Sequence, residues 1–190
     1  MTEAINSTTH ADATVVRGAG NMEEVNVTGK YVAQCFDVHG NLKWEEEFTN
    51  LVTTQGKNHL LDTYLGGSAY TAKVFLGLIS STGYTAVAAG DTANSHTGWT
   101  EFTGYSQTTR RPPSFAAASS GSKATSAAAT FSITSANTVK GTFLVANNGT
   151  GSAATKGGYS GRLYSAGLFT GGDKTVGNGD VVSVTYTASA

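Results

Sequence analysis

The stretch Lys30 to Val52, KYVAQCFDVHGNLKWEEEFTNLV, commits the chain to antiparallel β structure. Two β-prone runs, Tyr31 to Val38 and Leu42 to Val52, flank His39, Gly40 and Asn41. Gly and Asn accept the positive φ that tight hairpin turns need, so the three residues read as a turn between paired strands. In the second run Leu42, Trp44, Glu46 and Phe48 share one face, while Lys43, Glu45 and Glu47 share the other. Glu46 interrupts an otherwise apolar face, which is therefore expected to be only partly buried.

The same pattern recurs downstream. AKVFLGLIS, Ala72 to Ser80, is apolar enough for a buried strand. Pro112 and Pro113 precede a run expected at a sheet edge, because proline donates nothing to a ladder. NTVKGTFLVAN, RLYSAGLF and VVSVTYTAS follow, separated by the Gly-rich NGTGSAATKGGYSG and TGGDKTVGNGD. The last run sets Val182, Val184 and Tyr186 on one side against Val181, Ser183, Thr185 and Thr187 on the other. YTAVAAGDTANSHTGWTEFTGY, from Tyr84, reads as a long surface excursion with turns at Gly90-Asp91 and Gly98.

One stretch has helical spacing. In NLVTTQGKNHLLDTYLGGS, Asn50 to Ser68, Thr53 or Thr54 can cap a helix and Gly66-Gly67 can stop it. Leu60, Leu61, Tyr64 and Leu65 gather on one side of such a helix. Leu60, Leu61 and either Tyr64 or Leu65 are expected to close one end of a β domain, with His59 and Asp62 facing outward. The expected architecture is mainly β: an antiparallel β-sandwich or barrel, jelly-roll-like, over residues 29–190, with one short α-helix and an extended N-terminal arm over residues 1–28. The arm has scattered apolar residues with no sustained period.

Composition narrows the function classes. A chain of 190 residues can bury a core without staples, and the single cysteine, Cys35, forms neither an internal disulfide nor a thiolate metal site. A formal net charge of -1 gives no long-range attraction for nucleic acid or an anionic membrane. Charged residues make up 13% of the chain, about half the usual share, a surface common among proteins packed against other subunits. No stretch approaches the ~20 apolar residues of a membrane span, and MTEAINSTTHADATVV lacks the features of a signal peptide. Synthesis and folding in a host cytoplasm are expected.

Candidate chemistry is sparse. His10, His39, His59 and His96 fall in separate segments, outside any H-E-x-x-H pattern. His59 and Asp62 could pair as acid and base on a helix, though an exposed polar face is the plainer reading. Asp91 and His96 share a loop, where a metal would need further ligands and Asp91 more simply caps a turn. No nucleophile elbow, phosphate loop or dinucleotide fingerprint occurs, so no enzyme activity and no cofactor is expected. Candidate partner contacts are Val15, Val16, Arg17, Met22, Glu23 and Glu24 in the arm, with Trp99, Tyr105, Arg110 and Arg111 in the domain. Arg110-Arg111 suits interface salt bridges, and Trp44 and Trp99 are either core or interface anchors.

From Lys30 onward the chain resembles a family of small structural proteins encoded by tailed bacteriophages. The likeness is carried by NLVTTQGKNHLLD and LYSAGLFTGGDK, with CFDVHGNLKWEEEF, RPPSFAAAS, VKGTFLV and VGNGDVVSVTYT around them. It implies a virion component and brings no catalytic residues. Among virion roles, a capsid decoration (cement) protein is favoured, a homotrimer on the capsid surface with the major capsid protein as partner. A tail or fibre module binding host glycan or protein is the competing reading, with Tyr84, Trp99 and Tyr105 as stacking platforms.

Overall fold

A computed structural model describes residues 26–65, 73–147 and 152–190. The arm contacts Val15, Val16, Arg17, Met22, Glu23 and Glu24, the stop at Gly66-Gly67, and the side chains of Tyr64 and Leu65 lie outside the described residues. Among the described residues, eleven strands and one helix follow in order: β1 (Thr28–Phe36), β2 (Leu42–Val52), α1 (Thr54–Leu65), β3 (Val74–Ser80), β4 (Glu101–Phe102), β5 (Ser114–Phe115), β6 (Ser122–Ala127), β7 (Ala129–Ser132), β8 (Asn137–Ala146), β9 (Arg162–Leu168), β10 (Lys174–Val176) and β11 (Val181–Ser189). Every pairing is antiparallel, in the order β4-β3-β8-β9-β2-β1-β11-β6-β5, with β10 on β8 and β7 on β11. The sheet curls into a half-barrel. β5 stands at its edge, as the two prolines ahead of it require.

The β1–β2 hairpin forms where the sequence places it, but Asp37 builds its turn. The Asp37 carboxylate accepts the His39 and Asn41 backbone N–H groups, both at 2.8 Å, and the Asn41 side-chain amide at 3.0 Å. Gly40 supplies the left-handed φ of 83°. These bonds, led by the Asn41 amide, hold the Asp37 carboxyl below its ordinary pKa.

Where β3, β8 and β9 run side by side, both faces of the curled sheet are buried. Inside the curl, Tyr31, Ala33, Cys35, Phe48, Leu76, Leu78, Phe131, Val182, Val184 and Tyr186 form the main core. Tyr31 stacks on Phe48 at 5.4 Å between centroids and tilts against Tyr186 at 4.7 Å. Burying each of these large side chains stabilises the fold by ~1.5–3 kcal/mol. On the outer face Phe75, Ile79, Phe143, Val145, Leu163 and Ala166 form a second core, roofed by Ala93, Trp99 and Ala153 from loops. The excursion after β3 is therefore a cover for the sheet. β3 reads as continuously apolar because its alternate side chains enter different cores.

Glu46 is partly buried and fully engaged. It pairs with Lys174 at 2.6 Å and accepts the Thr170 hydroxyl at 3.1 Å. The Lys174 bond, opposed by burial and aided by Thr170, keeps its carboxyl below the usual range.

The helix docks on a different face from the one its leucines suggest. Thr53 Oγ1 accepts the Gly56 N–H at 3.0 Å, which makes Thr53 the N-cap. Gln55 Oε1 accepts the Leu163 N–H at 2.6 Å and the Ala93 N–H at 3.2 Å. Gly56 lies so close to β9 that a Cβ there would stand 2.2 Å from the Tyr164 carbonyl oxygen. The inward stripe is thus Thr53, Gly56 and His59, and His59 is 6% exposed. Leu60 and Leu61, expected inside, are 39% and 54% exposed, whereas Asp62 is exposed as expected and meets Arg162 at 3.7 Å. Leucine spacing lost because bringing the helix axis this near β9 requires a residue without a side chain at the crossing.

That geometry makes a prediction opposite in sign to helix propensity. Gly→Ala in an exposed helix gains ~1 kcal/mol. Gly56→Ala is instead expected to destabilise by about 1–3 kcal/mol, because backbone, not a movable side chain, occupies the space. Urea unfolding of the two proteins measures it.

Candidate functional site

Two concavities gather the chemistry of the described residues. The first, about 380 Å3, lies between the loop after β3 and the loop before β9. Its floor is an ion pair: Glu101 at the start of β4 and Arg110 bond through Arg110 Nη2 at 2.9 Å and Nε at 3.1 Å. Arg110 also donates to the Ala153 carbonyl at 2.9 Å and the Gly158 carbonyl at 2.6 Å, and its guanidinium lies 5.1 Å from the centroid of the Phe143 ring. Glu101 further accepts the Gly157 N–H at 2.6 Å and the Tyr105 hydroxyl at 3.4 Å. The pair fastens the loop before β9 onto the sheet.

The wall above is aromatic. His96 stacks on Trp99 with centroids 4.0 Å apart, and its Nδ1 is 2.9 Å from the Trp99 carbonyl. A carbonyl only accepts, so Nδ1 carries the proton. Trp99 Nε1 donates to Asp91 at 2.9 Å, and Asp91 also accepts the Ala88 N–H at 2.9 Å, so it closes a turn as the sequence suggests. Tyr159 stands on the rim, 64% exposed and 6.0 Å from His96.

This corrects the placement of three candidate partner contacts. Trp99 roofs the outer core, Tyr105 packs edge-on against Phe131 in the inner core, and Arg110 is 3% exposed with its charge spent on Glu101. A buried side chain presents no surface to a partner, and the Arg110 pair is internal, not interfacial. Arg111 is half-buried, and its backbone bridges Leu76 through bonds of 2.7 and 3.0 Å. Trp44 is core, half-buried against Phe169 at 5.4 Å. Sequence reasoning missed Tyr159 and Glu101; a lone tyrosine in a Gly-rich loop and a lone glutamate on a short strand carry no periodic signal.

Cys35 has the setting of a structural thiol. It lies in the core, 3.8 Å from an Asp180 carboxylate oxygen. Burial and the Asp180 charge push its pKa up to about 12, so it stays protonated and unreactive at neutral pH. Burial alone would raise the Asp180 carboxyl, but the Lys43 ammonium and the Gly177 N–H outweigh it and hold the carboxyl low.

The second concavity, about 290 Å3, is an apolar mouth at the helix end of the half-barrel. Val74, Phe115, Leu144, Tyr164, Tyr186 and Ala188 line it, with His59, Leu60 and Thr63 from α1 and Lys123 from β6 at its lip. Burial, reinforced by the nearby Arg162 charge and opposed by Asp62, lowers the His59 pKa. A histidine depressed in the folded state is protonated first in the unfolded chain. Its contribution to stability is complete above the unfolded value of about 6.5 and declines as pH falls towards the folded value. Between pH 7 and 5, the unfolding free energy of wild type is expected to fall more steeply than that of His59→Gln, as read from denaturant titrations across that range.

Among the described residues, no three His, Cys, Asp or Glu side chains converge as metal ligands, and no helix is long and apolar enough to cross a membrane. No protein-family model matches the chain, and no curated protein matches it.

Proposed function

We propose that the protein is a structural virion component that binds the outer surface of an assembled tailed-phage capsid and stabilises it by bridging capsomers as a homotrimer. Its partners are then the major capsid protein and further copies of itself, and it acts without a cofactor. The observation that carries this reading is the orientation of α1. The helix turns Leu60 and Leu61 outward and His59 inward, so it offers apolar side chains where a lone domain would offer polar ones. Those leucines lie within NLVTTQGKNHLLD, one of the two stretches most like the phage structural family.

Energetics favour such a role. A protein that binds only the assembled shell stabilises that shell by mass action. Three modest contacts on one trimer add avidity without any single strong one.

The cleft beneath Tyr159 favours a second reading, a tail or fibre module that binds a host glycan. An exposed ring above a polar floor is a setting in which a sugar face can stack. Electron microscopy of virions with gold-labelled antibody separates the two. Label over the head supports decoration, and label confined to the tail tip overturns it.

A further inference from the structure

We propose that the cleft beneath Tyr159 binds a single neutral pyranose ring, with Tyr159 as its stacking platform. The inference rests on the glycan reading of that cleft and is independent of where on the virion the protein sits. At about 380 Å3 the cleft falls at the small end of the ~300–1,000 Å3 usual for small-molecule sites, which suits one ring and not a longer chain.

The platform is held in place before any ligand arrives. Glu101 accepts the Gly157 N–H at 2.6 Å and Arg110 donates to the Gly158 carbonyl at 2.6 Å, so the two residues ahead of Tyr159 are pinned to the sheet. The opposite wall is also anchored. His96 is stacked on Trp99, the Trp99 indole donates to Asp91, and the neighbouring Gly98 carbonyl accepts the Thr85 N–H at 2.7 Å. A ring that stays 64% exposed on an anchored loop meets a ligand without the ordering cost that a loose loop carries on binding. The apolar C–H face of a pyranose packs on such a ring while the hydroxyls at its edge turn to the polar floor.

The lining sets the ligand's charge. His96 donates through Nδ1 to the Trp99 carbonyl, so the neutral imidazole keeps Nε2 as an acceptor, and no hydrogen bond among the described residues occupies it. Glu101 Oε1 has only long contacts, 3.2 Å to Arg110 Nε and 3.4 Å to the Tyr105 hydroxyl, which leaves it able to accept a further bond. Arg110 is the one Lys or Arg of the lining, and its Nε, Nη1 and Nη2 already point at Glu101, Ala153 and Gly158. A carboxylate or phosphate on the ligand would therefore lose water and gain no counter-charge. Sugar hydroxyls, which donate to these acceptors, match.

The probes are the methyl α- and β-glycosides of glucose, galactose and mannose, titrated into full-length protein and followed by 1H–15N NMR. At least one is expected to saturate with a Kd on the order of 1 mM, as one ring with few polar contacts allows, and to shift amides in residues 94–100 and 157–159. Tyr159→Ala is expected to weaken that binding about tenfold with an unchanged melting curve, and Tyr159→Phe to keep it within about threefold. The uronic acid glycoside of the same ring, which carries a carboxylate in place of the hydroxymethyl group, is expected to bind at least about tenfold more weakly. Absence of saturation with every neutral glycoside overturns the proposal. So do shifts that fall outside the cleft, a Tyr159→Ala variant that binds as well as wild type, or a uronide that binds as tightly as its parent. Antibody label on virions is read separately. A head-bound protein that takes a hexoside removes the tail reading and leaves this inference standing, whereas a tail-tip protein that takes none does the opposite.

Discussion

Glu101→Ala is expected to melt roughly 10 °C below wild type, the largest stability change of any single substitution considered. The side chains of Glu101 and Arg110 are 5% and 4% exposed, so removing the carboxylate strands a guanidinium inside the protein. Breaking a buried pair in this way costs ~3–5 kcal/mol, and for a chain of this size each kcal/mol shifts Tm by ~2–4 °C. The loss has a structural address. Glu101 also holds the Gly157 N–H, and Arg110 holds the Ala153 and Gly158 carbonyls, so the loop before β9 should loosen first. Hydrogen exchange at residues 153–158 is expected to rise before global unfolding. Replacing both partners with apolar residues, Glu101→Leu with Arg110→Met, removes the stranded charge and is expected to recover much of the lost Tm. Differential scanning calorimetry of the three proteins decides the matter.

Leu61→Asp is expected to do the reverse: the fold survives and capsid binding fails. Leu61 is more than half exposed, so its substitution should change stability by no more than about 0.5 kcal/mol. At the centre of an interface, an aspartate in place of a leucine costs ~2 kcal/mol or more, which is about thirtyfold in affinity for each contact. Three copies on one trimer multiply that loss. Sedimentation of heads with the variant, beside a melting curve, separates lost binding from lost fold.

Much of the fold was legible because strand signals are local. Val182, Val184 and Tyr186 alternate inward as their spacing requires, and the prolines before Ser114 mark the edge strand. The helix was legible in place and not in rotation. Its rotation depends on contacts made far along the chain, by Gly56 and Gln55 with Tyr164, Leu163 and Ala93, and leucine spacing contains none of that information. The candidate site was less legible still. Arg110 looked like an exposed basic residue because its neutralising partner, Glu101, sits nine residues earlier on a two-residue strand that has no periodic signature. Trp99 was ambiguous for the same reason: a long excursion that roofs a second core has the composition of a surface loop.

The central claim is that the protein binds assembled heads and strengthens them. The direct measurement adds purified full-length protein to bare heads, counts the copies bound at saturation, and follows the temperature at which the heads rupture. The account predicts saturation at a fixed copy number per capsomer arrangement, with a rupture temperature that rises as sites fill. Heads that bind no protein at saturating concentration, or that bind it and rupture at an unchanged temperature, would contradict it.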